Sequence, residues 1–161
     1  DDIGLHGDFS LGAANAATAR LLLGAGLDRL TPTHDCNAQQ VAGMAKRLGR
    51  DGAAQLEPIL HTHLPIFHTE HCLYARTLSG GNSYLDCGHP CERHTLHLRS
   101  SAGADNLVLA DMGCRNTVFN AEAQSGARFL NSWLREGVQR LRIELVDEPA
   151  HVAIHLVELY A

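Results

Sequence analysis

The chain has 161 residues, of which 45% are hydrophobic, and a formal net charge of −5 from thirteen basic and eighteen acidic side chains. This length suits one domain with a sizeable core, and no apolar run approaches the roughly 18 residues that a transmembrane helix requires. The acidic balance gives no electrostatic reason for tight, sequence-independent binding of nucleic acid.

The first half of the sequence alternates strand-like and helix-like segments. Residues 3–9 predict a strand, residues 13–23 a helix closed by Gly24 and Gly26, and residues 27–31 a second strand. Asn37 and Gln40 then form a capping box for a helix that we expect to stop at Gly49, and residues 56–64 predict a third strand.

The alternation is interrupted by a segment rich in cysteine, histidine, glycine and proline, at about residues 65–106. At its end, residues 95–99 and 106–110 predict the two strands of a hairpin. The pattern then resumes with a predicted helix over 119–134 that ends at Gly137, a strand over 141–146, and a last helix that begins near Pro149.

About four strand-helix units of this kind predict an α/β fold with a parallel sheet, namely a partial (β/α) TIM-like barrel with a Cys/His-rich loop insertion. We expect residues 1–161 to form a single domain, the C-terminal half of a barrel. Because the chain begins Asp1-Asp2 and half a barrel leaves parallel edges open, we expect a longer polypeptide, in which the missing N-terminal half or a partner chain covers those edges.

The cysteines are the first candidates for chemistry. Five is an odd number and no secretory signal pattern is present, so we expect a cytoplasmic protein whose cysteines bind metal or do redox chemistry. Cys72, Cys87, Cys91 and Cys114 are separated by fourteen, three and twenty-two residues. Their spacing leaves two interpretations open: a site for zinc or an iron-sulfur cluster, or four unrelated buried thiols. Cys36 stands apart and is expected to be a small buried hydrophobe.

Several other side chains are expected at the carboxyl ends of the strands of the predicted barrel. His61 and His63 are two residues apart on a predicted strand, so both side chains would point to the same face. They could bind a catalytic divalent metal, or they could be two hydrogen-bonded histidines. Residues 68–71 (HTEH) lack the His-Glu-x-x-His order of zinc proteases. Four side chains could bind a carboxylate-bearing substrate or form ordinary ion pairs: Arg115, Asn116, Arg142 and Glu144.

Three segments resemble a known family: 64–72 (LPIFHTEHC), 86–92 (DCGHPCE) and 110–117 (ADMGCRNT). They are similar to the collagenase-like peptidase family, peptidase family U32, as are residues 7–11 and 142–144. The resemblance implies the C-terminal part of the catalytic barrel region of a longer member.

The resemblance also implies a chemistry. Better understood members are iron-sulfur enzymes that hydroxylate RNA bases or ubiquinone precursors without oxygen gas, with prephenate as oxygen donor. Carried over to this sequence, it implies a four-iron four-sulfur cluster on Cys72, Cys87, Cys91 and Cys114. The side chains expected to adjoin the cluster and tune it are Glu70, His71 and His89, and the cations available for the donor are Arg76, Arg115 and Arg142.

Two other functions remain open for this sequence. One is a metal-dependent peptidase or other hydrolase that uses the histidines. The other is a zinc-thiolate module without catalysis that shapes a binding surface. The partner is accordingly RNA, a small-molecule substrate or another protein surface.

Overall fold

Short strands and amphipathic helices alternate in the first third of the chain, as the sequence predicts. A computed structural model describes residues 3–160, which divide into two compact units. The first unit extends to Thr62 and resumes at Gln124, and the second comprises His63–Ala123. The predicted cysteine-rich segment lies inside the second unit.

The helices and strands of the first unit are β1 (His6–Gly7), α1 (Ala16–Gly24), β2 (Arg29–Leu30), α2 (Ala38–Ala54), β3 (Ile59–Thr62), β8 (Gln124–Ser125), α4 (Leu130–Arg135), β9 (Arg142–Ile143) and α5 (Ala150–Tyr160). Those of the second unit are β4 (Pro65–Thr69), α3 (Leu73–Leu78), β5 (Leu96–Arg99), β6 (Asp105–Ala110) and β7 (Asn116–Phe119).

Parallel pairing links the strands of the first unit in chain order. β1 pairs with β2, Leu30 forms a parallel bridge with Leu56, and β3 pairs with β9. Among the described residues of this unit, the single antiparallel pairing joins β3 to β8. The α/β class is therefore confirmed, whereas the partial TIM-like barrel is not: the described strands form three separate sheets and no closed barrel.

The helix caps explain where the first helices begin. Asn15 caps α1, and Asn37 caps α2 by accepting hydrogen bonds from the backbone N–H groups of Gln39 and Gln40 at 3.0 and 2.9 Å. The Gln40 side chain accepts in return from the N–H of Asn37 at 2.8 Å, so the predicted capping box is confirmed. Gly49 adopts φ 77° and ψ 176°, which kinks α2, but the helix continues beyond it to Ala54 instead of stopping.

The core of the first unit lies between these helices and the parallel strands. Leu30, Leu56 and Leu60 are almost fully buried there. The single tryptophan, Trp133 on α4, packs against the same core and donates a hydrogen bond from Nε1 to the Ala38 carbonyl at 3.0 Å.

The second unit is a four-stranded antiparallel sheet in the order β4-β7-β6-β5, with α3 beside it. The predicted hairpin is confirmed as β5 and β6. A small core of Tyr74, Val108 and Val118 holds the unit together, and the Tyr74 hydroxyl donates to the Val108 carbonyl at 2.6 Å.

The helix predicted over 119–134 is wrong for most of its length. Its first residue ends β7, residues 124–125 form β8, and the helix is confined to Leu130–Arg135. Gly126 interrupts the segment and packs closely against the Trp133 ring. An added Cβ would come within 2.8 Å of that ring, so a glycine is needed at this turn.

Within residues 3–160, no helix combines the length and the hydrophobicity needed to cross a membrane.

Candidate functional site

Cys72 lies at the N-terminus of α3, where its backbone is extended and its side chain caps the helix. The thiol accepts from the Ala75 N–H at 3.5 Å. The next residue, Leu73, donates its N–H to Asn116 Oδ1 at 2.5 Å, which attaches the start of α3 to the start of β7. Cys72 is thus held by both a helix and a strand.

Cys91 lies in a short 3-10 turn, Pro90–Glu92, that follows His89 in a left-handed conformation with φ 51°. Cys91 and Cys72 both pack against the core of Tyr74, Val108 and Val118. Burial raises the pKa of the Cys91 thiol, and the nearby negative charges of Cys72, Glu92 and Cys87 raise it further. Cys72 and Cys87 are therefore both within electrostatic range of Cys91.

Cys87 ends a loop that is tightly folded on itself. Asp86 Oδ1 accepts from the N–H of Asn82 and of Ser83 at 3.0 and 2.7 Å, and these bonds lower the pKa of the Asp86 carboxyl. The Cys87 N–H donates to the Ser83 carbonyl at 2.9 Å. A Cβ at Gly81 would meet the Asp86 carbonyl oxygen at 2.4 Å, so this loop needs glycine there.

Cys114 is the exposed member of the set, in the turn Met112–Cys114 between β6 and β7. Gly113 and Cys114 both have positive φ, 76° and 62°. A left-handed conformation is uncommon for cysteine and costs free energy, a feature that clusters at functional sites. Arg115 folds back over this turn and donates from Nε to the Met112 carbonyl at 3.1 Å.

The five cysteines are all free thiols. Within the described part of the chain, no three His, Cys, Asp or Glu side chains are arranged as a preformed metal site. The donor chemistry nevertheless fits a thiolate-bound metal, because the second unit carries four soft sulfur ligands on a helix N-terminus, a loop and two turns. Cys36 belongs to the first unit and packs against its core, as predicted.

The side chains predicted to adjoin the cysteines are mostly exposed. Glu70 and His71 precede Cys72, and His71 donates its backbone N–H to Thr69 Oγ1 at 3.1 Å. His89 forms an exposed ion-pair contact with Glu92 at 3.6 Å.

Asn116, one of the predicted substrate-binding residues, is fully buried. Its Oδ1 accepts from the Leu73 N–H, and its Nδ2 donates to the Arg115 carbonyl at 2.7 Å. Its polar atoms are therefore used to fix the backbone around the cysteines.

The two predicted metal-binding histidines do not share a strand. His61 is on β3, and its Nδ1 lies 3.2 Å from the Tyr160 hydroxyl. His63 follows the end of that strand, and its Nδ1 lies 2.7 Å from the Asn120 carbonyl oxygen. The two Nδ1 atoms thus contact different partners.

Arg142 and Glu144 lie in the first unit, at the carboxyl end of β9. Arg142 Nε is 3.2 Å from Glu144 Oε1, and Arg142 Nη1 donates to Thr31 Oγ1 at 3.2 Å. The other carboxylate oxygen, Glu144 Oε2, accepts from Thr62 Oγ1 at 3.3 Å. The positive charge of Arg142 is thus balanced by a carboxylate of the same strand.

His34 and Asp8 complete this group, and the sequence analysis missed both. His34 Nε2 is 3.9 Å from Glu144 Oε2, and the His34 ring lies 4.1 Å from the Phe9 ring, centroid to centroid. Hydrogen bonds from Ser10 lower the pKa of Asp8, and the charges of Arg142 and His34 lower it further. Their positions in the chain are the one signal that points to them: Asp8 directly follows β1, and His34 lies in the loop after β2. Side chains at the carboxyl ends of parallel strands often belong to a functional site.

The model of peptidase family U32 matches residues 1–161, the whole chain. The chain therefore belongs to peptidase family U32. The comparisons with curated proteins and with solved structures returned no match.

Proposed function

We propose that Cys72, Cys87, Cys91 and Cys114 bind a four-iron four-sulfur cluster, and that this chain is the cluster-bearing part of an oxygen-independent hydroxylase. Its substrate class is an RNA base or a ubiquinone precursor, with prephenate as oxygen donor. The proposal extends the resemblance described above from the family to this chain's own cysteines.

The observation that carries the proposal is the environment of Cys91. Its thiol is half-buried near two other thiols, Cys72 and Cys87, and no disulfide joins them. Partial burial and these neighbours raise the pKa of Cys91 and disfavour its thiolate, whereas a bound metal would favour the thiolate because it coordinates the deprotonated form. Such a cluster of thiols is more consistent with metal binding than with a hydrophobic core.

The elements that carry the ligands differ in rigidity. Cys72 and Cys91 are fixed against the core of the second unit, whereas Cys87 and Cys114 lie on a loop and a turn. Because the side chains do not form a preformed site, cluster binding requires this loop and turn to bring their thiols inward. We propose that Cys72 and Cys91 anchor the cluster and that the other two thiols complete its coordination.

Neighbouring polar groups would tune such a cluster. When bound, it supplies one-electron redox chemistry, with a reduction potential set by charge, hydrogen bonds to sulfur and exposure. The N–H of Ala75 already donates to the Cys72 sulfur. The guanidinium of Arg115, on the turn that carries Cys114, adds a positive charge that would favour a more negative cluster or a carboxylate donor.

The test is an anaerobic preparation of three proteins: wild type, Cys87→Ala and Cys36→Ala. Iron, acid-labile sulfide, zinc and the visible absorption spectrum are measured for each. We expect wild type and Cys36→Ala to be brown, with equal iron and sulfide, because Cys36 packs in the first unit. Cys87→Ala should lose most of the iron and the visible absorption.

Two results would contradict this proposal. Stoichiometric zinc without sulfide, lost on Cys87→Ala, would favour the zinc-thiolate module. Reconstituted protein that binds no iron or sulfide, with gelatin cleavage unaffected by Cys87→Ala and abolished by a chelator, would favour a metal-dependent peptidase.

A further inference from the structure

A group of polar side chains in the first unit forms a second candidate site, and none of its members is a cysteine. Its members follow the carboxyl ends of parallel-paired strands: Asp8 after β1, Thr31 and His34 after β2, Thr62 at the end of β3, and Glu144 after β9. In parallel α/β folds, this end of the strands is where side chains from separate segments converge to bind ligands.

Glu144 is the centre of this group. Its Oε1 is held by Arg142 at 3.2 Å, and its Oε2 accepts from Thr62 at 3.3 Å. The Glu144 side chain is only 17% exposed. A carboxylate that is largely buried and bonded at both oxygens has a fixed orientation, which suits it for binding a ligand.

His34 supplies the observation that points to a ligand. Its Nε2 is buried and has no hydrogen-bond partner among residues 3–160. The 3.9 Å from His34 Nε2 to Glu144 Oε2 is too long for a hydrogen bond, but a third oxygen placed about 2.8 Å from both atoms would bridge them. When His34 Nε2 carries its proton, the bridging oxygen must accept a hydrogen bond from Nε2 and donate one to Glu144 Oε2. A hydroxyl group can do both.

The charges of the group select against an anion. The guanidinium of Arg142 already pairs with Glu144 and bonds to Thr31, so its charge is engaged within the group. A carboxylate ligand beside His34 would face the Glu144 carboxylate, whereas a hydroxyl group can donate to it.

From these contacts we propose that Asp8, His34 and Glu144 form a binding site for a neutral vicinal diol, of the kind that a sugar ring presents. One hydroxyl bridges His34 Nε2 and Glu144 Oε2, and the neighbouring hydroxyl donates to the Asp8 carboxylate. The Phe9 ring, packed on His34, supplies an apolar wall beside them. This inference uses no cysteine, so it stands or fails independently of the cluster.

The experiment follows the ring nitrogens of His34 by nitrogen NMR in the intact 161-residue chain, assigned by their loss in His34→Ala. The probes are methyl β-D-ribofuranoside, its 2-deoxy analogue, and acetate. We expect the ribofuranoside to shift the His34 nitrogens with an affinity about tenfold higher than that of the deoxy analogue, since two hydrogen bonds depend on the missing hydroxyl. Acetate should leave these nitrogens unchanged.

Variants extend the test by calorimetric titration of the ribofuranoside. His34→Ala should weaken binding about tenfold, whereas the control His151→Ala, at an exposed histidine on α5, should leave it unchanged. Trp133 fluorescence verifies that each variant is folded. If His34→Ala does not fold, the comparison of the three probes on wild type still decides the outcome.

Equal affinity for both ribofuranosides, no shift of the His34 nitrogens, or an acetate shift as large as that of the ribofuranoside would each overturn the assignment.

Discussion

Asn116 shows how one buried amide can organise the surroundings of the cysteines. It is fully buried on β7, accepts from the Leu73 N–H and donates to the Arg115 carbonyl. Leu73 follows Cys72, and Arg115 follows Cys114. The side chain therefore connects the backbone next to one candidate ligand with the backbone next to another.

Replacing this amide should be costly. Asn116→Ala leaves a buried N–H and a carbonyl without their partner, so we expect a loss of about 1–3 kcal/mol in the free energy of unfolding, measured by circular dichroism in urea. Asn116→Asp keeps the acceptor for Leu73 but buries a carboxylate whose second oxygen faces the Arg115 carbonyl, so it should not recover the loss at neutral pH.

Asn82→Ala is the matched control in the same unit, because this side chain is exposed. We expect its free energy of unfolding to stay within about 0.5 kcal/mol of wild type. An Asn116→Ala protein as stable as Asn82→Ala would show that the amide does not organise this region.

At the scale of elements, signals within a few residues predict where a helix begins, whereas pairing between distant residues decides where helical spacing is overridden. The α2 capping box involves residues three apart, so the sequence contains all of its information. The segment after residue 116 is different. Val118 is buried opposite Val108, its β-sheet partner ten residues earlier, and this pairing overrides the helical spacing of the apolar residues that follow.

Gly49 was predicted to stop α2 and instead kinks it. Its φ of 77° and ψ of 176° belong to a region that is essentially restricted to glycine. Hydrogen bonding resumes on the far side, where Ala53 is fully buried in the core. A glycine in a helical pattern thus predicts a break in direction, while burial of the next turn determines whether the helix continues.

Two glycines of α2 should therefore respond to alanine in opposite directions. Gly49→Ala forces a side chain into the glycine-only conformation and should lower the free energy of unfolding by about 1–3 kcal/mol. Gly43 has ordinary helical geometry and no atom within 4 Å of an added Cβ, so Gly43→Ala should raise it by about 0.5–1 kcal/mol.

Urea unfolding followed by the fluorescence of Trp133 measures both variants, because this tryptophan packs against the same core as α2. A Gly49→Ala protein that is stabilised as much as Gly43→Ala would mean that the kink is absent in solution.

At the scale of the whole molecule, the sequence predicts the α/β class and the interruption by a cysteine-rich segment. It does not reveal the group around Glu144, because His34 and Glu144 are 110 residues apart and meet only when β3 pairs with β9. Such long-range convergence leaves no local pattern. The four cysteines can be predicted as candidate ligands from the sequence because residue type and spacing are visible without the fold.

The pairing of β3 with β8 has a further consequence. Thr62 is directly opposite Gln124 in an antiparallel pair, and these two residues flank the second unit in the sequence. An Asn-Gly turn closes antiparallel strands at this separation. Replacing residues 63–123 by Asn-Gly should therefore leave a first unit that folds alone, because its core residues all lie outside the deleted segment.

Trp133 reports the result directly, since it is the single tryptophan and is 4% exposed. We expect the shortened chain to keep a blue-shifted emission maximum and one cooperative transition in urea. The same chain with Leu60→Asp, which introduces a carboxylate at a core position that is 1% exposed, provides the unfolded reference. If the shortened chain emits like this reference, the parallel strands depend on the second unit, and the two units fold as one.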